Sequence, residues 1–380
     1  MYTLSDYADI SRVVNDSQYA KSKGLIVKSQ KQKNITDIEL KLKAIKSDDP
    51  EWVEKVTVLK RELAEAKQSN KTRLHIIKYN KSHLNSENTS SLGMFRSVVT
   101  DGERVLSFSP VKSITNEAFE MQSTGTNAYE FSEFVEGTMI NMFVDPKTNE
   151  WEIATRSNIG ARCKFYQDFD KTFRDMFLEA FVSKNFEFSM FNKAYSYSWV
   201  LQHPSNRIVL PVAIPNIVLV AVFDFTETCL PDCPPIHTVE NLLTLNNKYD
   251  FIGSIINNSS HNSDNDYELE TPMSHKPRSI QDYQNYYNDD DGDYKVMGTV
   301  IYDRNSGVRT KVRNKTYEHV KNLKGNSPKL QYRYYSLRQL GAVGEYLKYY
   351  PEDSHKFSKF RDQMHDFTDT LWRNYIRCYV

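Results

Sequence analysis

From residue 35 to 68 the apolar positions recur every three or four residues, in ITDIELKLKAIKSDDPEWVEKVTVLKRELAEAKQ. That spacing predicts amphipathic helix, with Asp48-Asp49-Pro50-Glu51 as a stop and restart. Residues 1–70 therefore read as a helical extension: a hairpin packed on the main body, or alternatively a coiled coil offered to a protein partner. From 73 to 225 the period drops to two, in runs such as RLHIIKYNK, VVTDGERVLSFSP, GTMINMFVD, WEIATRSNI, YSYSWVLQH and IVLVAVFDF. These runs are rich in Val, Ile, Phe and Tyr and are divided by turn residues such as Asp101-Gly102 and Asp145-Pro146. One helical stretch, DFDKTFRDMFLEAFVSKN, interrupts them.

Residues 257–294 lose both periods. They are polar and acidic, with nine Asp/Glu against two Lys/Arg between 264 and 293. Such a segment buries too little apolar surface to offset its ordering entropy, so the expectation is a mobile acidic loop. A strand pair follows, KVMGTVIYD and GVRTKVRNKTY, and helical spacing then runs to the end. The pattern predicts an α+β fold of mainly antiparallel strands with helices. It divides into residues 1–70, a central domain over 71–330 and a helical unit over 331–380.

Composition changes this picture in two places. The 49 basic and 49 acidic residues cancel over the whole chain, yet residues 304–380 hold 16 Lys/Arg against 7 Asp/Glu. A basic terminal region suits phosphate attraction and a solvated helix surface equally well. Four cysteines (Cys163, Cys229, Cys233, Cys378) are scattered and show no zinc spacing, so no metal site is expected. The longest apolar stretch, IVLPVAIPNIVLVAVF, is broken by two prolines and reads as core strands, not as a membrane span. The opening residues have neither a basic start nor an apolar run, which predicts a soluble, cytoplasmic protein.

The chemistry concentrates around FVEGT, residues 134–138, where a strand-like run closes on a carboxylate and a glycine. Basic residues precede and follow it: Arg96 in GMFRSVV, Lys112 in SFSPVKSITNEAF, Arg156 in WEIATRSNIGAR, and Lys311 and Arg313 in TKVRNKTY. Tyr79 lies in IIKYNK between Lys78 and Lys81. A guanidinium fork or an ammonium is what phosphate oxygens call for.

Taken in order, the segments from about residue 73 to 325 resemble the phage-type RNA ligase 1 family, part of the covalent nucleotidyltransferase superfamily with DNA ligases and mRNA capping enzymes. The resemblance implies a nucleotidyltransferase (RNA/DNA ligase) domain. Family members bond AMP to a lysine in a KxDG motif and pass it to a 5′-phosphate end. It also implies nucleotide contacts from Tyr79, Arg96, Lys112, Glu136, Gly137, Arg156, Lys311 and Arg313. The chain departs from the family where the chemistry is made. Phe134 occupies the lysine position, and a benzyl group cannot form a phosphoramidate. Glu136 replaces the aspartate, Gly137 and Thr138 fit, and Asn206-Arg207-Ile208-Val209 fit a later motif. Ser198 stands where a glutamate is expected, and Met297 stands in place of a glutamate that helps hold the catalytic metal.

The cations remain while the nucleophile and two carboxylates are gone. The favoured expectation is a catalytically degenerate relative that binds nucleotide or RNA ends, with ATP as the possible cofactor. One alternative is an active ligase with a displaced nucleophile, Lys78 or Lys81, and Mg²⁺ required only in that case. Another is a structural or assembly protein with a vestigial pocket. His203, in LQHPSN, reads as a turn histidine. The Tyr-rich stretches read as core, and neither a Walker A loop nor a dinucleotide fingerprint is present.

Overall fold

The computed structural model describes residues 4–30, 42, 56–61, 74–123, 129–165, 171–224, 269–289, 292–303, 307–327 and 329–380. The amphipathic stretch 35–68 thus lies outside the described residues, apart from 42 and 56–61, which are helical. Residues 257–268 of the acidic segment and the pair Cys229/Cys233 also lie outside them.

The chain opens with three short helices, α1 (Leu4–Tyr7), α2 (Ile10–Asn15) and α3 (Ser17–Ser22). The Asp9 and Asp16 side chains accept backbone N–H groups at the starts of α2 and α3. The next residues depart from the helical expectation. Leu25–Ser29 forms strand β1, antiparallel to β2 (His75–Tyr79), with β3 (Val98–Thr100) and β4 (Val105–Phe108) completing a four-stranded sheet. Leu25 and Val27 share the inward face of β1, in a run short enough to be masked by the helical residues around it. Leu4, Ile10, Val13 and Ala20 cover this sheet beside Phe95 and Phe108.

A second antiparallel sheet holds β6 (Thr138–Asp145), β7 (Glu150–Thr155), β8 (Asn158–Ile159), β9 (Tyr195–Gln202) and β10 (Asn216–Asp224), in the order β10-β9-β6-β7-β8. One face carries Trp199, Tyr197, Ile140 and Met142 against Phe177 and Phe181 of helix α5 (Phe173–Ser183). A Thr172/Asp175 capping box starts that helix. Because Phe181 touches Phe186, Phe188 and Phe191 at ring separations of 4.9–5.5 Å, Phe181→Ala would cost about 3–5 kcal/mol.

The other face of the second sheet packs on the first through a polar seam. Ser107 pairs with Ser196 at 2.7 Å, and Asn141 bridges Ser109 and Ser198. All five are fully buried, and mutual hydrogen bonding is what makes that burial tolerable.

The third sheet, in the order β12-β11-β5, joins β5 (Tyr129–Glu133), β11 (Gly298–Asp303) and β12 (Arg309–Arg313). Helices α4 (Asn116–Gln122) and α6 (Ile280–Tyr287) pack on it through Phe119, Ile280, Tyr283 and Tyr287. Helix α6 corrects part of the loop expectation for 257–294. A Ser279/Asp282 capping box starts it, and Ile280, Tyr283 and Tyr287 form one buried stripe. The acidic residues around it dominate the composition, whereas three apolar side chains at helical spacing dominate the packing.

The C-terminal elements α7 (Lys315–Lys324), α8 (Leu330–Gln339), α9 (Val343–Tyr349) and α10 (Ser354–Tyr379) build a further apolar cluster. Tyr317, Tyr346, Tyr350 and Phe357 are its buried members, and Val209 enters it from the segment after β9. Among the described residues no helix is long and apolar enough to cross a membrane.

Candidate nucleotide site

The second and third sheets meet at the turn 134–137, and a cavity of about 470 Å³ opens there. Phe134 hands the chain from β5 to β6: its N–H donates to the Gly298 carbonyl at 3.0 Å, so the turn is stitched to β11. Both glycines at this seam are sterically required. At Gly137 (φ +151°) a Cβ would lie 2.4 Å from the Leu201 carbonyl oxygen, and at Gly298 (φ +139°) 2.1 Å from that of Val312. Gly137 lets the turn pass close to β9, and Gly298 lets β11 lie close to β12.

Among the described residues six cations line it: Arg96, Arg156, Arg309, Lys311, Arg313 and Lys321. Strand β12 supplies three of them, because positions 309, 311 and 313 share one face. Arg309 and Arg96 are held alike. Arg309 donates from Nε to the Val111 carbonyl at 2.7 Å, and Arg96 from Nη1 to the Pro110 carbonyl at 3.2 Å. Arg309 also reaches the Tyr302 hydroxyl at 2.9 Å. Burial first, then Arg309 and Arg156, lower Arg96 to about 10. Lys112 sits in the same field; burial, then Arg96, Arg313 and Arg309, push its ammonium below the usual lysine range.

Lys311 is the most perturbed cation of the group. Its Nζ lies 5.3 Å from the Phe134 ring centroid. Burial, followed by Arg313, Arg309, Lys112 and Arg96, lowers it to about 7. Among the described residues no carboxylate pairs with it.

Among the described residues two carboxylates line the cavity, and both are engaged with the backbone. Glu136 is buried and accepts the N–H groups of Val209 and Leu210 at 3.1 Å. Its own carbonyl accepts from Gln202 Nε2 at 2.9 Å. Burial and this carboxylate keep the Tyr317 hydroxyl protonated, well above its ordinary range. Glu133 accepts from the Met273 N–H at 3.3 Å. Thr138 accepts from Asn206 Nδ2 at 2.9 Å, tying the turn to the 206–209 segment.

The structure thus brings together Arg96, Phe134, Glu136, Gly137, Arg156, Lys311 and Arg313 around one cavity. Lys112 does not line it but acts on its cations electrostatically. Tyr79, Lys78 and Lys81 line a smaller neighbouring cavity of about 240 Å³, which shares Arg96 and Arg156 with the first. Lys78 donates to Ser157 Oγ at 3.0 Å, and burial, then Lys28, Arg156 and Lys81, lower its pKa.

One sequence assignment moves. Ser198 lies in the buried seam between the sheets, bonded to Asn141 and the Phe108 carbonyl, and does not reach the cavity. Two residues further along the same face of β9, Val200 does. Arg309, Tyr302 and Lys321 escaped the sequence reading, although R-T-K-V-R alternates with period two and carried the signal for Arg309.

The metal implied by the resemblance does not fit these residues. At the relevant wall stand the thioether of Met297 and the alkyl group of Val200, and hard divalent cations take oxygen ligands. Among the described residues no group of three His, Cys, Asp or Glu could hold a metal ion.

The site is thus a cation-rich cavity between antiparallel sheets, bordered by the FVEGT turn. Sequence comparison bears out the likeness to RNA ligases. An "RNA ligase" of Rhodothermus phage RM378 is 31% identical over 98 residues, which are 24% of this chain and 22% of that protein. The match therefore spans less than a quarter of that relative's length. No family model matches the chain. Among solved structures, a Naegleria gruberi RNA ligase E227A mutant with ATP and Mn is similar over 63% of this chain and 68% of its own, at 10% identity and a TM-score of 0.37. An archaeal ATP-dependent RNA ligase is similar over 80% of this chain and 69% of its own, at 11% identity and a TM-score of 0.35.

Proposed function

We propose that this protein binds nucleotide phosphates and RNA 5′ ends in the 134–137 cavity, as an RNA-ligase-like protein whose KxDG lysine position cannot act. One observation carries the reading. Among the described residues no carboxylate pairs with the cavity-facing cations Arg96, Arg156, Arg309 and Lys311, while the Glu133 and Glu136 carboxylates are occupied by backbone N–H groups. Like charges held together under partial burial repel, and a polyanion relieves that repulsion. The cavity volume, about 470 Å³, lies in the range of small-ligand sites.

Arg96 and Arg309 would hold phosphate oxygens by forked hydrogen bonds, and Lys311 would add a point charge; Arg313, ion-paired to Glu318 at 2.9 Å, would add its charge from the rim. The Phe134 ring would offer a nucleobase or ribose an apolar wall in place of the amine. The second cavity, with Tyr79, Lys78 and Lys81, would continue the phosphate path through the shared Arg96 and Arg156.

Fluorescence anisotropy with a short single-stranded RNA tests this reading. The 5′-phosphorylated oligomer should bind about tenfold or more tightly than its 5′-hydroxyl counterpart, and Arg309→Ala should erase the difference. Equal affinity for both ends in the wild type would refute it.

A further inference from the structure

We propose that the 134–137 cavity binds a nucleoside triphosphate free of divalent metal, its own arginine and lysine charges neutralising the phosphates, so that Mg²⁺ weakens binding. The inference rests on the nucleotide-binding reading above and names the form in which the ligand is taken.

A divalent cation carried by a nucleotide is held by oxygen, directly or through its water shell, and anionic oxygen holds it best. Val200 of β9 and Met297, which precedes β11, offer the cavity a hydrocarbon and a thioether instead. Glu136 accepts the Val209 and Leu210 N–H groups and is hydrogen-bonded to the Tyr317 hydroxyl. Turning it to a metal would strand those donors. Glu133, bonded to the Met273 N–H, is the remaining carboxylate of the wall among the described residues. The aliphatic hydroxyls there, such as Thr138 and Ser157, are uncharged.

The positive charge comes from the protein side. Arg309 donates from Nη2 to the Pro110 carbonyl at 3.3 Å, and Arg96 donates from Nη1 to the same oxygen at 3.2 Å. One main-chain oxygen thus holds two guanidinium groups side by side, and each keeps further N–H donors for phosphate oxygens. Arg156 and Lys311 add their charges to the same wall, and among the described residues no carboxylate pairs with any of these cations. A free triphosphate carries about four negative charges at neutral pH, which these cations match, whereas its Mg²⁺ complex carries about two.

The field in the cavity already acts against a single positive charge. Burial, then Arg313, Arg309, Lys112 and Arg96, lower the Lys311 ammonium to about 7. Mg²⁺ would meet that field with twice the charge of an ammonium, and it dehydrates reluctantly. A metal-free triphosphate does the reverse: it restores the Lys311 proton and engages the whole set of cations.

Calorimetric titration of the full chain with ATP, in EDTA and in excess Mg²⁺ at matched ionic strength, reads the preference. AMP, which chelates Mg²⁺ poorly, controls for screening. ATP should bind at least about tenfold more tightly in EDTA, while AMP affinity changes by less than about twofold. Met297→Glu, which gives the wall an anionic oxygen, should reduce the ATP ratio to about threefold or less. Arg309→Ala should reduce it too, by weakening binding in EDTA more than in Mg²⁺. Equal or tighter ATP binding in Mg²⁺ would overturn the inference and leave the nucleotide site standing. A preference that neither substitution reduces would arise outside this cavity and would overturn it as well. No ATP binding in either buffer would instead overturn the nucleotide-binding reading, and the inference with it.

Discussion

Lys311 should make anion binding to this protein pH-dependent over a range where most lysines do not titrate. In the empty cavity its ammonium is lowered to about 7 by burial and four neighbouring cations. An anion beside it favours the charged form, so binding raises that pKa and takes up a proton. The sign follows directly. Below about pH 7 the ammonium is already present and affinity is at its ceiling. As pH rises through 7 the proton must be supplied on binding, and affinity falls up to tenfold per pH unit until the bound-state pKa is reached. Between pH ~6 and ~8.5 the protonated fraction drops from ~0.9 to ~0.03, which is roughly a 30-fold loss, or about 2 kcal/mol. Inorganic sulfate is the clean probe, because its charge is constant over the whole range. Calorimetric titrations in two buffers of different ionisation enthalpy would give both the affinity and the protons taken up. The wild type should approach one proton per sulfate near pH 8, and Lys311→Met should show a flat profile. A flat wild-type profile, or a slope that survives in Lys311→Met, would refute the reasoning.

Other outcomes follow from the same geometry. Lys311→Met should raise the melting temperature of the unliganded protein near pH 7 and below, since it removes a partly buried cation from a repulsive cluster. The native Lys311 contribution should itself improve with rising pH between about 7 and 10.5, where the unfolded chain holds more protons than the folded one. Glu136→Ala should cost about 2–4 kcal/mol in urea unfolding, because the buried N–H group of Val209 and the partly buried one of Leu210 lose their acceptor. A cost below about 0.5 kcal/mol would mean that water replaces the carboxylate without penalty. Gly137→Ala should destabilise by about 3 kcal/mol or more, since its Cβ would stand 2.4 Å from the Leu201 carbonyl in a backbone conformation that disfavours side chains. Thermal unfolding of that variant, compared with Gly344→Ala, where nothing lies within 4 Å, isolates the steric cost.

Much of this site was legible in the sequence because period-two patterning and charge are local signals. Lys311 and Arg313 are implied by the resemblance of TKVRNKTY to the family's closing Lys-x-Lys motif, and the alternation R-T-K-V-R places Arg309 on the same face one step back. The Ser198 assignment failed for a tertiary reason. Ser198 and Val200 share one face of β9, and only the edge of the overlying sheet decides which is covered and which meets the cavity. Helix α6 was hidden because Asp, Asn and Gln outnumber its three buried apolar residues, and a sum over composition does not see their spacing. The chemical state of Lys311 could not be read from sequence at all. It depends first on burial, then on Arg313 and Arg309 of its own strand, and then on Lys112 and Arg96, some two hundred residues away. The paired helical hairpin expected over 35–68, and the division of the chain at 70 and 330, are readings of period and composition alone.

The most direct test of the central claim is a calorimetric titration of ATP into the wild type, Arg96→Ala and Arg309→Ala at near-physiological salt. The account predicts saturable single-site binding by the wild type, weakened about tenfold or more in each variant as a charged fork is withdrawn from the phosphates. Wild-type binding that neither substitution weakens would place the nucleotide elsewhere, and no saturable binding would leave the cationic cavity without its proposed ligand.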